Sequence, residues 1–205
     1  MSRCDRGLSG AGRPCHSGLM DASGRSDLTS DFLVFPDRKR HGRFPVRDAD
    51  NRVVAEISTS WTGLSFVAVH GAGQPLCAGS AQAFGLSGRW RATGPDRAEL
   101  LSVTKSWWRS RAELTLARGG TFTLRGSAWR RDFAVTDAAD ATVLAATPRT
   151  SALSLRPYDF AVHQMQGGFS VPEIVAIVQI WRLVRKSADA GTAGAAAAGV
   201  AATSR

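Results

Sequence analysis

Hydrophobic and polar positions alternate with a period of two through most of the middle of the chain. Ala112, Leu114 and Leu116 alternate with Glu113 and Thr115, and after Ala117-Arg118-Gly119-Gly120 the pattern resumes with Phe122 and Leu124 against Thr121, Thr123 and Arg125. Side chains on a strand point alternately to its two faces, so this stretch predicts a β-hairpin with one buried face. The same alternation marks Val53, Ala55 and Ile57; Leu64, Phe66 and Ala68; Leu101 and Val103; Phe133 and Val135; and Leu153 and Leu155. Weaker runs near 32–35, 43–47, 75–79, 84–91, 142–147 and 158–163 bring the expectation to about a dozen short strands with tight turns, the spacing of a barrel or sandwich.

The period changes once, between Ser170 and Lys186. Ser170 and Glu173 have the S-x-x-E spacing of a capping box, and Pro172 sits in the first turn, where its missing N–H costs nothing. Ile174, Val175, Ala176, Ile177, Val178, Ile180, Trp181, Leu183 and Val184 follow, interrupted only by Gln179 and Arg182. A helix apolar on nearly every side has to be surrounded, with Ile174, Ile177, Val178 and Trp181 expected in its core contact. It is too short for a membrane span, which needs about 20 apolar residues. Glu173 and Arg182 bracket eight uncharged positions.

One internal echo points to repeated hairpin units. Val46-Arg47-Asp48-Ala49-Asp50-Asn51 leads into Arg52-Val53-Val54-Ala55, and Val135-Thr136-Asp137-Ala138-Ala139-Asp140 leads into Ala141-Thr142-Val143-Leu144-Ala145. Both read strand, Asp-rich turn, strand, and Asp serves such turns by accepting hydrogen bonds from the backbone that follows it. A calcium loop starting at Asp48 would need Gly where Val53 stands and Glu where Thr59 stands.

A dozen antiparallel strands followed by one apolar helix predict a mainly β fold. The expected form is an approximately twelve-stranded antiparallel barrel enclosing the C-terminal helix, because closure removes the strand edges and the helix fills the lumen. The order of elements, the Val-x-Asp hairpins, Tyr158-Asp159-Phe160-Ala161-Val162 and the run from Pro172 to Val178 resemble the LURP-one-related proteins, which are grouped with Tubby C-terminal domains and phospholipid scramblases. The resemblance covers about residues 31 to 186 and implies a non-enzymatic module. Tubby domains bind phosphoinositides through basic surface side chains, but no individual positions carry over. Scramblases place an acidic calcium-binding segment before the terminal helix. Here Val162 to Phe169 contains no carboxylate, so calcium-triggered activity is not implied.

Composition adds tails and a charge. Residues 1 to about 30 are rich in Gly, Ser and Arg without periodicity and are expected to be disordered, as is the Ala- and Gly-rich stretch 187–205, leaving 31–186 as one folded domain. The first thirty residues lack the apolar core of a secretory signal, and three sparse cysteines, Cys4, Cys15 and Cys77, imply no disulfide framework, so a cytoplasmic protein is expected, with peripheral attachment to membranes if it docks there. Lys plus Arg number 26 against 17 Asp plus Glu, a net charge of +9 that favours anionic partners.

Much of that charge sits beside tryptophan: Arg89-Trp90-Arg91, Lys105-Ser106-Trp107-Trp108-Arg109-Ser110-Arg111, Trp129-Arg130-Arg131 and Trp181-Arg182. Trp joins an apolar body to one donor, and Arg pairs with phosphates, so Trp107, Trp108, Arg109, Arg111, Arg130 and Arg131 form a candidate surface for anionic phospholipid or a protein partner. Nucleic acid is the alternative, bound by stacking and phosphate contact. A strand that turns Trp inward and its neighbouring Arg outward produces the same pattern with no ligand at all. Arg38-Lys39-Arg40 is a second basic run, read as a solvated loop.

No catalytic residue, cofactor site or metal site is predicted. The phosphate-loop, dinucleotide, H-E-x-x-H and C-x-x-C signatures are missing from the sequence. Ser87, in Gly85-Leu86-Ser87-Gly88, misses a nucleophile elbow by one place, and His16, His41, His70 and His163 have no ligand spacing.

Overall fold

The computed structural model describes residues 32–36, 43–60, 64–70, 73–83, 87–106, 111–126, 132–149, 159–166 and 168–184. Both expected tails, and the Leu153 and Leu155 alternation, lie outside these residues. The strands are β1 (Phe32–Phe35), β2 (Arg43–Asp48), β3 (Val53–Thr59), β4 (Ser65–Val69), β5 (Pro75–Ala83), β6 (Ser87–Thr93), β7 (Glu99–Ser106), β8 (Arg111–Leu116), β9 (Thr121–Gly126), β10 (Phe133–Thr136), β11 (Thr142–Pro148) and β12 (Phe160–Gln164). Each pairs antiparallel with its sequence neighbours, and β1 pairs with β12, closing a twelve-stranded barrel. Residues 171–184 form the helix α1.

The period-two pattern is the pattern of burial. Along β8 exposure alternates strictly, with Ala112, Leu114 and Leu116 inward. The inward set from all twelve strands meets α1, on which Ile174, Val175, Ala176, Ile177, Val178 and Ile180 are at most 1% exposed and Trp181 is 6% exposed. A helix buried on every face inside the barrel is the physical reason its sequence lacks a polar stripe.

Because the strands alternate in direction, the barrel has two ends. At the end where α1 enters, five turns share one backbone scheme, beginning at Asp48, His70, Gly94, Leu116 and Asp137. In each, the N–H three residues on donates to the first residue's carbonyl, while the first residue's N–H donates to the carbonyl four residues on, at 2.7 to 3.1 Å. The fourth residue is at positive φ every time: Asn51, Gly73, Arg97, Gly119 and Asp140. This is the hairpin turn that ends in a left-handed residue and a bulge. The aspartates serve as expected: Asp48 Oδ1 accepts from the Arg52 N–H, and Asp137 Oδ1 from those of Ala139 and Ala141.

Arginines fix α1 at both ends. At its start, Glu173 Oε2 accepts from the Ser170 N–H at 2.7 Å, completing one arm of the capping box. Ser170 Oγ turns to the same carboxylate at 3.0 Å instead of capping the backbone. Glu173 is also held by Arg118 of the β8–β9 turn, whose Nε lies 2.8 Å from Oε1 and whose Nη2 also donates to the Gly168 carbonyl. At the other end, Arg182 Nη2 donates to the carbonyls of Phe35 and Pro36 at 3.4 and 3.0 Å, with its guanidinium over the rings of Phe44 and Phe160.

Candidate functional site

The Trp/Arg segments attach to the barrel at the end opposite the α1 entrance. Trp107, Trp108, Arg109, Arg130 and Arg131 lie outside the described residues, as does the run Arg38-Lys39-Arg40. The residues that flank them are described. Ser106 ends β7 and Arg111 starts β8; Gly126 ends β9 and Asp132 precedes β10. Register ties these anchors together, since Arg111 faces Arg125 across the β8–β9 ladder and Gly126 faces Phe133 across β9–β10.

Arg111 and Arg125 point outward from adjacent strands, a like-charge cross-strand pair of the kind that destabilises a sheet. Arg125 is compensated by Asp140, its Nη1 3.3 Å from Oδ2. Arg111 is exposed. Both line a surface depression of about 520 Å³, which also takes in Asp132, Ala134, Ala145 and Thr147. Ala134 and Ala145 are cross-strand partners, so the floor is low because the side chains there are small.

Inward Trp beside outward Arg is realised on strand β6, whereas Trp181 and Arg182 both face the barrel wall from α1. Trp90 is 4% exposed while Arg89 is exposed, and Arg91 pairs with Glu99 at 2.8 Å. Trp181 packs in the lumen beside Phe133, ring centroids 5.5 Å apart. For these two, core packing accounts for the motif.

Among the described residues no group of three or more His, Cys, Asp or Glu is placed to hold a metal ion, and no helix is long and apolar enough to cross a membrane. His70 Nδ1 lies 2.9 Å from the Val54 carbonyl oxygen, and the His163 ring packs tilted against Phe32, ring centroids 4.8 Å apart. Cys77 is buried, and burial pushes its thiol up to about 12, far from a reactive thiolate at neutral pH. Ser87 begins strand β6, and a Cβ on Gly88 would collide with the Trp90 ring, so the near-elbow sequence serves packing.

A closed antiparallel barrel around one C-terminal helix is the form the sequence resemblance implies, and comparison with family models decides the matter: the LURP-one-related model matches residues 35–178. The chain belongs to the LURP-one-related family. An X-ray structure of a protein from Arabidopsis thaliana is similar at 17% identity, covering 80% of this chain and 94% of that one with a TM-score of 0.48. No curated protein matches the chain by sequence. The family match spans from the last residue of β1 into α1, so strands β2 to β12 of this LURP-one-related barrel and the first eight residues of α1 fall within it. Sequence reasoning missed Arg118 and Arg125, which read as ordinary turn and strand positions and meet carboxylates far along the chain.

Proposed function

We propose that this LURP-one-related protein is a non-enzymatic docking module that attaches to anionic phospholipid surfaces from the cytoplasm. Contact is made through Trp107, Trp108, Arg109, Arg111, Arg130 and Arg131. The observation that carries the reading is the shared anchorage of the two Trp/Arg segments: each begins and ends at the barrel end opposite the α1 entrance, beside the cross-strand pair Arg111 and Arg125. Support also comes from the net charge of +9. Tryptophan supplies the interfacial anchor and arginine the phosphate contact.

The test is co-sedimentation with phosphatidylcholine vesicles, with and without phosphatidylserine, beside a single-stranded DNA titration. Binding is expected only to the anionic vesicles, and it weakens steeply with salt because attraction is screened beyond about 8 Å at physiological ionic strength. Arg109→Glu with Arg130→Glu abolishes binding and leaves the melting temperature unchanged. A folded double variant that binds with unchanged salt dependence excludes this surface. Preferential binding to DNA replaces the reading with the nucleic-acid one.

A further inference from the structure

We propose that the ladder between β1 and β2 is a gate in the barrel wall that opens before the rest of the fold, with Arg182 as its bolt. Every other neighbouring pair in the barrel shares four to seven register pairs among the described residues, whereas β1 and β2 share two, Leu33↔Asp48 and Val34↔Arg47. Continuing that register brings Pro36 opposite Pro45, and neither has an N–H to offer a ladder.

The outer face of this seam is open. A depression of about 540 Å³ lies over it, lined by Phe32, Val34, Pro36, Pro45 and Arg47. On the inner side, α1 supplies what the ladder lacks. Arg182 donates to the carbonyls of Phe35 and Pro36 while its guanidinium lies over Phe44 of β2 and Phe160 of β12, so one side chain touches the strands on both sides of β1 as well as β1 itself. Parting of β1 from β2 would leave β1 attached to β12 through four register pairs and β2 attached to β3 through five. It would bare the inward faces of Leu33, Phe35, Phe44 and Val46, now 0 to 5% exposed, without breaking any other ladder. Local opening where a ladder is weakest is the general behaviour of folded proteins, and among the described residues the ladder with the fewest register pairs is this one.

Hydrogen exchange read residue by residue tests this. Alternate amides of β1 point to β2 and to β12. The seam-facing amides are expected to exchange at least about tenfold faster than the β12-facing ones, and Arg182→Leu to speed the seam-facing set by a further factor of about 10 to 100 while leaving β6 to β8 unchanged. Equal rates on the two sides of β1 overturn the proposal, because fraying or global unfolding releases both together. If Arg182→Leu does not fold, the pair Val34→Cys with Arg47→Cys, which are Cα partners, carries the test. Oxidation of that pair should slow seam-facing exchange to the β12-facing rate, and rates unchanged by oxidation overturn the proposal.

Discussion

The indole of Trp181 occupies the space in which a side chain at Gly126 would begin. A Cβ built on Gly126 would overlap the Trp181 ring and lie 2.8 Å from the Asp132 carbonyl oxygen. The strand therefore gives up its side chain at the position where the helix presents its largest one. Gly126→Ala is expected to destabilise the protein by about 1 to 3 kcal/mol through overpacking, measured by urea unfolding. Gly126→Ala combined with Trp181→Phe should cost less than the sum of the two single changes. Strict additivity would show that the ring and the glycine are not coupled.

Ile177 lies at the centre of the lumen with no exposed surface. Ile177→Asp would bury an unpaired carboxylate there and should unfold the domain, a loss of more than about 4 kcal/mol. A soluble Ile177→Asp protein with wild-type melting temperature would contradict a helix enclosed by the barrel.

Glu173 is buried and Arg118 is half exposed, so their pair is asymmetric. Arg118→Ala strands a buried carboxylate and should cost about 1 to 3 kcal/mol, the partial exposure letting water replace some of the lost contact. Glu173→Ala leaves only a half-exposed guanidinium and forfeits the Ser170 cap. Thermal unfolding of the two single variants and the double variant separates the pair from the cap.

Arg97 holds φ at 64° in the fourth position of its turn, where two of the equivalent turns use glycine. Left-handed backbone costs a side chain such as Arg about 1 to 2 kcal/mol, and part of that is recovered when the site becomes glycine. Arg97→Gly should raise the unfolding free energy by up to about 1 kcal/mol, seen as a higher urea midpoint. A lower midpoint would mean that the arginine side chain stabilises the turn.

Burial raises the Cys77 thiol from 9.0 to about 12. The folded state therefore retains its proton longer than the unfolded chain does. The resulting stability is complete below about pH 9 and is lost as pH climbs from there towards 12. In Cys77→Ala the alkaline decline in unfolding free energy should be shallower than in the wild type. The native thiol should also resist a disulfide reagent at neutral pH until the protein unfolds.

The strands were legible because burial follows alternation: Ala112 to Leu116 and Phe122 to Leu124 carry their inward faces in plain text. So was the enclosure of α1, since no residue from Ile174 to Ile180 except Gln179 is polar, and even Gln179 is 1% exposed. The common turn was half legible. Asp48 and Asp137 announce it, but at Gly94 and Leu116 different residues reach the same hydrogen bonds, so the repeat lives in the backbone and is absent from composition. The partnerships of Arg118 with Glu173 and of Arg182 with Phe35 were not legible. They join positions 55 and 147 residues apart, and nothing local distinguishes these arginines from solvated ones.

The helix that fills the lumen is the last described element of the chain, and β12, which closes the wall, comes just before it. The five hairpins are local and can form as the chain emerges, but nothing can occupy the space between them until α1 is made. Synthesis therefore carries a nearly complete but hollow sheet, its apolar face uncovered, to the final stage. A pause after β12 and before α1 is complete would leave that apolar face uncovered.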